Sequence, residues 1–418
     1  MVETNSMRDF QKTSHAIASK LRSVFEPTPL QHNAYLSGLY GAEIYLKRED
    51  LSPVRSYKIR GAFNAMSKAL EASTTPPLFV CASAGNHAQG VAFMCKHFGV
   101  KGRIFMPITT PQQKIMKTKA FGGELIEIEL IGDFFDETLH AAQGYCAAQN
   151  AVFLPPFDDA DVIKGQSTVA AEIADQLGKL PDLVVLPVGG GGLSAGVTSY
   201  YERDTSYCFV EPAGGACLAA AFEAGKPTKL EQISTFVDGA AVAQIGAENF
   251  AILQHYQDQQ HLALNEDRLC TTLIDMLNVE GVVLEPAGAL AVDALKDLAP
   301  SIAGKTVVCV TSGGNFDFER LPEVKERALR YSGVKKYLIL RLPQRPGALR
   351  DFLGILGPDD DIARFEYLKK SARNFGSVLI GIETKHSDSF VRLFAHLDEA
   401  GFTYRDITND DTLAQFLV

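Results

Sequence analysis

From about Leu78 to Thr311 the chain alternates short β-branched or apolar runs with longer stretches in which apolar residues recur at helical spacing. Short apolar runs bounded by turn residues suit strands buried on both faces, and the intervening periodicity suits the helices that cover them. The pattern therefore predicts α/β architecture. Expected strands are 78–82, 103–106, 124–130, 151–154, 183–188, 207–211 and 305–311. Thr110 before Pro111 reads as a cap followed by a proline at the first helical position, with the helix closing at Gly122-Gly123. Residues 159–177 read as a second helix, stopped by Gly178. Ile59, Ala62, Phe63 and Met66 share one helical face, so a further helix begins near Lys58, and 88–97 is another amphipathic stretch.

Near residues 331–334 the character changes, and the rest reads as a separate small domain. Strand-like 337–342 is followed by a turn at 343–347 and a helical face at 348–356. Then come strands 362–369 and 378–384, a helix over 389–400 ended by Gly401, and a strand at 402–407. This order is βαββαβ, the split ferredoxin-like arrangement.

Composition narrows the class. With 418 residues, 46% hydrophobic and 22% charged, the chain is ordinary globular protein of about two or three domains. A formal charge of -10 disfavours nucleic acid as a partner, although local backbone dipoles can still hold small anions. Seven scattered cysteines show no zinc spacing, so no metal centre is expected, and free thiols in apolar runs suit a reducing compartment. Residues 1–20 are polar and lack the apolar core of a signal peptide, which makes the expected location cytoplasmic. The longest uncharged stretch, 183–201, holds four consecutive glycines and Pro187, so no membrane span is expected.

Four segments carry candidate chemistry. Lys58 places a cation in the first turn of a helix, against the macrodipole, and one residue from the apolar stripe. Both influences favour the neutral amine that a Schiff-base lysine needs, whereas a lone lysine is ordinarily a solvated surface group. Ser83-Ala84-Gly85-Asn86-His87 lies between a strand and a helix, where free N–H groups suit a carboxylate; a simple capped turn uses the same residues. Gly189-Gly190-Gly191-Gly192-Leu193 also joins strand to helix, and successive N–H groups there can nest a phosphate. Its spacing is neither that of a dinucleotide fingerprint nor that of a P-loop. Ser312, at the end of the last apolar strand, puts a hydroxyl where ligands of open α/β sheets collect, or simply closes a tight turn. Together these are an amine nucleophile, a carboxylate cradle, a phosphate cradle and a hydroxyl. Pyridoxal 5'-phosphate fits that set.

Lys47-Arg48-Glu49-Asp50, Ser56 to Ala62, Ser83 to Gly90, Gly189 to Leu193, Glu285-Pro286-Ala287-Gly288 and Ser312-Gly313-Gly314-Asn315, with the early Pro27-Thr28-Pro29-Leu30, resemble the threonine dehydratase (threonine ammonia-lyase) family. The resemblance implies the tryptophan synthase β-like fold (fold type II), a two-lobed catalytic domain over 1–330 whose smaller lobe, about 51–153, is inserted in the larger. It implies Lys58 as the Schiff-base and catalytic lysine, Asn86 beside the cofactor's 3′ oxygen, Gly189, Gly190, Gly191, Gly192 and Leu193 round the phosphate, and Ser312 at the pyridine nitrogen. Ser83, Gly85, Asn86 and His87 are then the residues expected at the substrate carboxylate. Residues 337–349 resemble the ACT-like regulatory domain of the biosynthetic form, here a single α+β module over 336–411. The activity implied is dehydration and deamination of L-threonine, with L-serine as a further substrate, to 2-oxobutanoate and ammonia in isoleucine synthesis. Isoleucine and valine would be effectors and a homotetramer the assembly. The alternatives are a serine racemase or serine dehydratase, an inert amino-acid-binding regulator, and, for the tail, an oligomerisation module without a ligand.

Overall fold

Strands Leu183–Pro187 and Thr306–Thr311 are buried along their whole length, which is why they read as unbroken apolar runs rather than alternating ones. In the computed structural model, which describes residues 2–368 and 374–410, they lie at the centre of a six-stranded sheet. Its order is Leu30–His32, Glu43–Arg48, Thr306–Thr311, Leu183–Pro187, Ser206–Pro212 and Gln260–Leu264. Every pairing is parallel except that of the first two strands. A second sheet, Ile126–Leu130, Gly102–Met106, Phe79–Ala82 and Val152–Phe153, is parallel throughout and forms the smaller lobe. Each lobe has its own apolar core, one round Val184, Leu186, Phe209 and Val308, the other round Ile59, Met66, Phe79 and Ile104.

Several helices depart from expectation, each for a local reason. The segment 159–177 forms two helices, Ala160–Gln166 and Thr168–Leu177, joined at Ser167. Ser167 Oγ donates to the Lys164 carbonyl (2.7 Å) and Thr168 Oγ1 to that of Gly165 (2.7 Å), so hydroxyls take acceptors that the helix ladder would use. At Gly165 a Cβ would lie 2.5 Å from the Arg60 carbonyl oxygen, so the crossing helix Lys58–Glu71 comes close at the same point. The proline-started helix is Gln112–Gly122, with Pro111 itself in the cap position (ψ 136), and the hydroxyl of Thr110 is buried without a partner. The strand expected from 124 begins at Ile126, because Gly123–Leu125 make a turn of 3-10 helix first. Val2–Leu21 is helical although its polarity suggested nothing of the kind; Ser14, Ile17, Ala18 and Leu21 form its buried stripe.

The chain divides into two units, Met1–Glu266 with Met276–Phe316 and Asp267–Asp275 with Asp317–Val418. Within the second, four antiparallel strands run Asp361–Leu368, Phe375–Glu383, Lys335–Pro343 and Thr403–Asp406 across the sheet. Leu338, Leu340, Val378, Ile380 and Ile382 on one face bury Phe352 of helix Ala348–Leu353 and Phe390, Leu393 and Leu397 of helix Ser389–Glu399. The order along the chain is βαββαβ. The first of these helices stops at Gly354, short of 356. Lys369 of the expected strand and residue 411 of the expected domain lie outside the described residues. All seven cysteines are free and buried.

Candidate functional site

Three parallel strands deliver their carboxyl ends to one region, the place where open α/β sheets gather ligands. Phe79–Ala82 leads into the 83–85 loop and helix Asn86–Phe98, Leu183–Pro187 into the glycine run and helix Gly192–Tyr201, and Thr306–Thr311 into Ser312. Lys58, first residue of helix Lys58–Glu71, comes to the same place, because Tyr57 N–H donates to the Ser312 carbonyl (3.2 Å) and Ser56 bridges Gly313.

The Lys58 amine donates to the Pro156 carbonyl (2.7 Å) and lies 5.3 Å and 5.7 Å from the ring centroids of Tyr57 and Phe157. Burial is the main influence on it, pulling its pKa down to about 8 against the opposing pull of Glu285. Phe157 also lies against the glycine run. A Cβ on Gly190 would overlap its ring, one on Gly192 would come 3.0 Å from its carbonyl oxygen, and one on Gly189 would come 3.0 Å from Ala240 Cα. Gly191 has φ +91, a conformation that L side chains rarely adopt. The run is glycine because the chain folds over it, and the leading N–H groups of helix Gly192–Tyr201 have no intrahelical acceptors. Gly190 O accepts from Gly246 N (3.2 Å) and Asn249 Nδ2 (2.6 Å), which fixes the loop from behind.

In the 83–87 loop Ser83 Oγ accepts from Gly85 N–H (3.2 Å), leaving its own O–H to donate. Asn86 Nδ2 donates to Glu285 Oε1 (2.7 Å), and its Oδ1 accepts from Asn315 Nδ2 (2.6 Å). The His87 ring turns away: it is buried with Nε2 2.9 Å from the Leu154 carbonyl, and burial first, then Lys58, lowers its pKa to about 3. A neutral ring donating to Leu154 leaves only the backbone N–H of His87 for an anion. Ser312 is buried, and its Oγ donates to the Ala287 carbonyl (3.2 Å).

Glu285, Phe157 and Lys117 also reach this region, although no role for them follows from the sequence alone. Glu285 could have been found as the one charge in the apolar stretch 281–292. Its pKa is raised to about 7, chiefly by burial and then by Asp238. Lys117 bonds to Asn315 Oδ1 and Lys114 pairs with Asp238. Behind the site a buried ionic network supports Lys58. Arg60 is bidentate to Glu49 (2.8 Å twice) and bonds Glu172 (2.9 and 2.7 Å), and Lys47 joins Glu172 (2.7 Å) to the Thr28 carbonyl (2.6 Å). Arg22 also pairs with Glu172, so three cations face two carboxylates, and all but Arg22 have almost no access to water. Among the described residues no three metal-ligating side chains converge, and no helix is long and apolar enough to cross a membrane.

Residues 21–313 match the family described as pyridoxal-phosphate dependent enzyme, and residues 326–417 match the C-terminal regulatory domain of threonine dehydratase. The chain is 46% identical over 402 residues to L-threonine dehydratase biosynthetic IlvA of Bacillus subtilis strain 168, covering 95% of each. It is 45% identical over 395 residues to the protein of that name in Corynebacterium glutamicum, covering 93% of this chain and 90% of the relative. Among solved structures, the processed form of threonine deaminase isoform 2 from Solanum lycopersicum is similar with a TM-score of 0.71 and 35% identity, over 78% of this chain and 94% of that one. Maize serine racemase, at 23% identity and a TM-score of 0.68 over 77% of this chain and 98% of that one, shares the fold.

Proposed function

The chain belongs to the threonine dehydratases, pyridoxal-phosphate-dependent lyases that convert L-threonine to 2-oxobutanoate and ammonia at the entry to isoleucine synthesis, and we propose that Lys58 is its catalytic lysine. One juxtaposition carries this reading: a buried amine with a lowered pKa and a four-glycine cradle share Phe157 as a neighbour. The residues fit the cofactor. At positions 189–192 side chains would collide or strain, and Ser194 Oγ in the same turn is buried with no partner. Lys58 would hold the cofactor's aldehyde, Gly189, Gly190, Gly191, Gly192 and Leu193 its phosphate, Asn86 its 3′ oxygen and Ser312 its pyridine nitrogen. When bound, the cofactor supplies the electron sink that makes the substrate's α proton removable.

The protein's own part is positioning and proton transfer. N–H groups and hydroxyl of the 83–87 loop hold the substrate carboxylate at a helix N-terminus, which fixes Cα relative to Lys58. Lys58 Nζ, neutral above about pH 8, takes the proton from Cα. Loss of the β hydroxyl as water, then hydrolysis of the enamine, gives 2-oxobutanoate and ammonia. Serine differs by one methyl, worth about 1–3 kcal/mol in a pocket, so L-serine is a slower second substrate.

We further propose a catalytic domain over 1–330, its smaller lobe about 51–153, and an ACT-like domain over 336–411 that binds isoleucine, and valine as a second effector. In the second unit a cavity of about 190 Å³ is lined by Arg341, Phe375, Phe402 and an Arg345–Asp351 ion pair (2.7 Å), so Arg341 offers a guanidinium for a carboxylate and the aromatic rings offer apolar surface for a branched side chain. A homotetramer in the cytoplasm completes the proposal; seven free, buried thiols suit that compartment. The test is a steady-state assay of threonine against serine, with and without isoleucine. Faster turnover of threonine, suppressed by isoleucine, is expected; equal rates without inhibition would remove the biosynthetic assignment.

A further inference from the structure

The Asn86 amide is held at both ends, and the polarity of that hold can be traced outward. Asn315 Nδ2 donates to the Val54 carbonyl (2.9 Å) as well as to Asn86 Oδ1, and Asn315 Oδ1 accepts from Lys117 Nζ. A backbone carbonyl and an ammonium therefore fix which way Asn315 faces, since neither can exchange its role. Asn86 must then turn its oxygen to Asn315 and its nitrogen to Glu285. A reversed Asn86 would set Oδ1 against the Glu285 carboxylate and Nδ2 against that of Asn315. Of the two Nδ2 hydrogens, one is spent on Glu285 Oε1, and the other is free of it.

We propose that Glu285 is a positioning residue, whose carboxylate together with Asn315 holds the Asn86 amide so that its second Nδ2 hydrogen is available to the cofactor's 3′ oxygen. This rests on the proposed contact between Asn86 and that oxygen. The surroundings are built to keep the carboxylate in place. Glu285 N–H donates to the Gly313 carbonyl (3.2 Å), and a Cβ on Gly313 would overlap Glu285 Oε1, so the first glycine of Ser312-Gly313-Gly314-Asn315 makes room for it. The charged and titratable groups that act on it are Asp238 from the loop of the larger lobe, Lys114 and Lys117 from helix Gln112–Gly122, and Tyr57 and Lys58 at the head of their helix. Ionised, Glu285 accepts a charge-assisted bond from Asn86 Nδ2; protonated, it accepts only as a neutral carboxyl, a weaker hold. Since burial raises its pKa to about 7, the hold loosens as pH falls through that value.

A double-mutant cycle on cofactor affinity tests this, read by absorbance titration of the cofactor-free full chain with pyridoxal phosphate at pH 8.5. Glu285→Gln keeps the shape but offers a neutral acceptor that can turn round, and about tenfold weaker binding is expected from loss of the charge-assisted bond. In an Asn86→Ala background the same substitution should change affinity by less than about twofold, because its effect passes through Asn86. Equal losses in both backgrounds would overturn the role of Glu285 while leaving the Asn86 contact standing. Unchanged affinity in Asn86→Ala alone would remove that contact and this proposal with it. Glu285→Asp, which retains the charge, is expected to bind more tightly than Glu285→Gln, and it replaces it in the cycle if the glutamine variant does not fold; an aspartate variant no better than the glutamine one would count against the proposal.

Discussion

Lys58 and Glu285 are ionisable groups of opposite sign that burial drives towards the same range, about 8 and about 7. Desolvation disfavours the charged form of each, and their mutual attraction only partly opposes it. The sign for Lys58 is that the amine is protonated below about pH 8 and a free nucleophile above it. The rate at which the cofactor-free protein takes up pyridoxal phosphate is therefore expected to rise with pH and to reach half its maximum near pH 8, followed by stopped-flow absorbance. A rate still climbing in proportion to hydroxide at pH 10 would mean a lysine of ordinary basicity. Lys58 was legible in the sequence because a cation at a helix start breaks a local preference. Glu285 was not assigned, since its partner Asn86 lies 199 residues away along the chain, and Asn315 lies 229 from Asn86. The partner of the His87 ring was equally illegible, since the Leu154 carbonyl lies 67 residues away along the chain.

At the scale of elements, the strand–glycine–helix junction at 189–192 was readable because it is local, while the reason for its glycines was not. They are set by Phe157 and Ala240, which approach from other parts of the chain. Gly190→Ala forces the Phe157 ring away and with it the Pro156 carbonyl that holds Lys58, so cofactor affinity should fall at least about tenfold, measured by the same titration. The division of 159–177 at Ser167 was equally hidden, because hydroxyl bonds to the backbone leave apolar periodicity unchanged. Arg60 ties together the helix that begins with Lys58, the Glu49 turn and helix Thr168–Leu177. Arg60→Met strips buried Glu49 of its guanidinium partner and leaves Glu172 to Lys47 and Arg22. A loss of about 3–5 kcal/mol in unfolding free energy is expected by urea denaturation, against less than about 1 kcal/mol if the network were solvated.

Across the whole molecule, a net charge of -10 says little about the ligands, because anions are held by N–H groups and buried amines that the charge count does not resolve. The fold class was legible from the alternation of apolar runs and helical periodicity, and the second unit from the βαββαβ order of its elements. What the pattern could not supply was the joining of distant segments, such as the helix Val2–Leu21, whose Ile17 and Leu21 enter the smaller lobe's core. All of these features converge on one lysine. The most direct test is 2-oxobutanoate formation from L-threonine, measured on wild type and Lys58→Ala after each has been saturated with pyridoxal phosphate. Wild type should form 2-oxobutanoate and ammonia in equal amounts and Lys58→Ala should lose at least about a thousandfold in kcat. Turnover by Lys58→Ala at the wild-type rate would contradict the account.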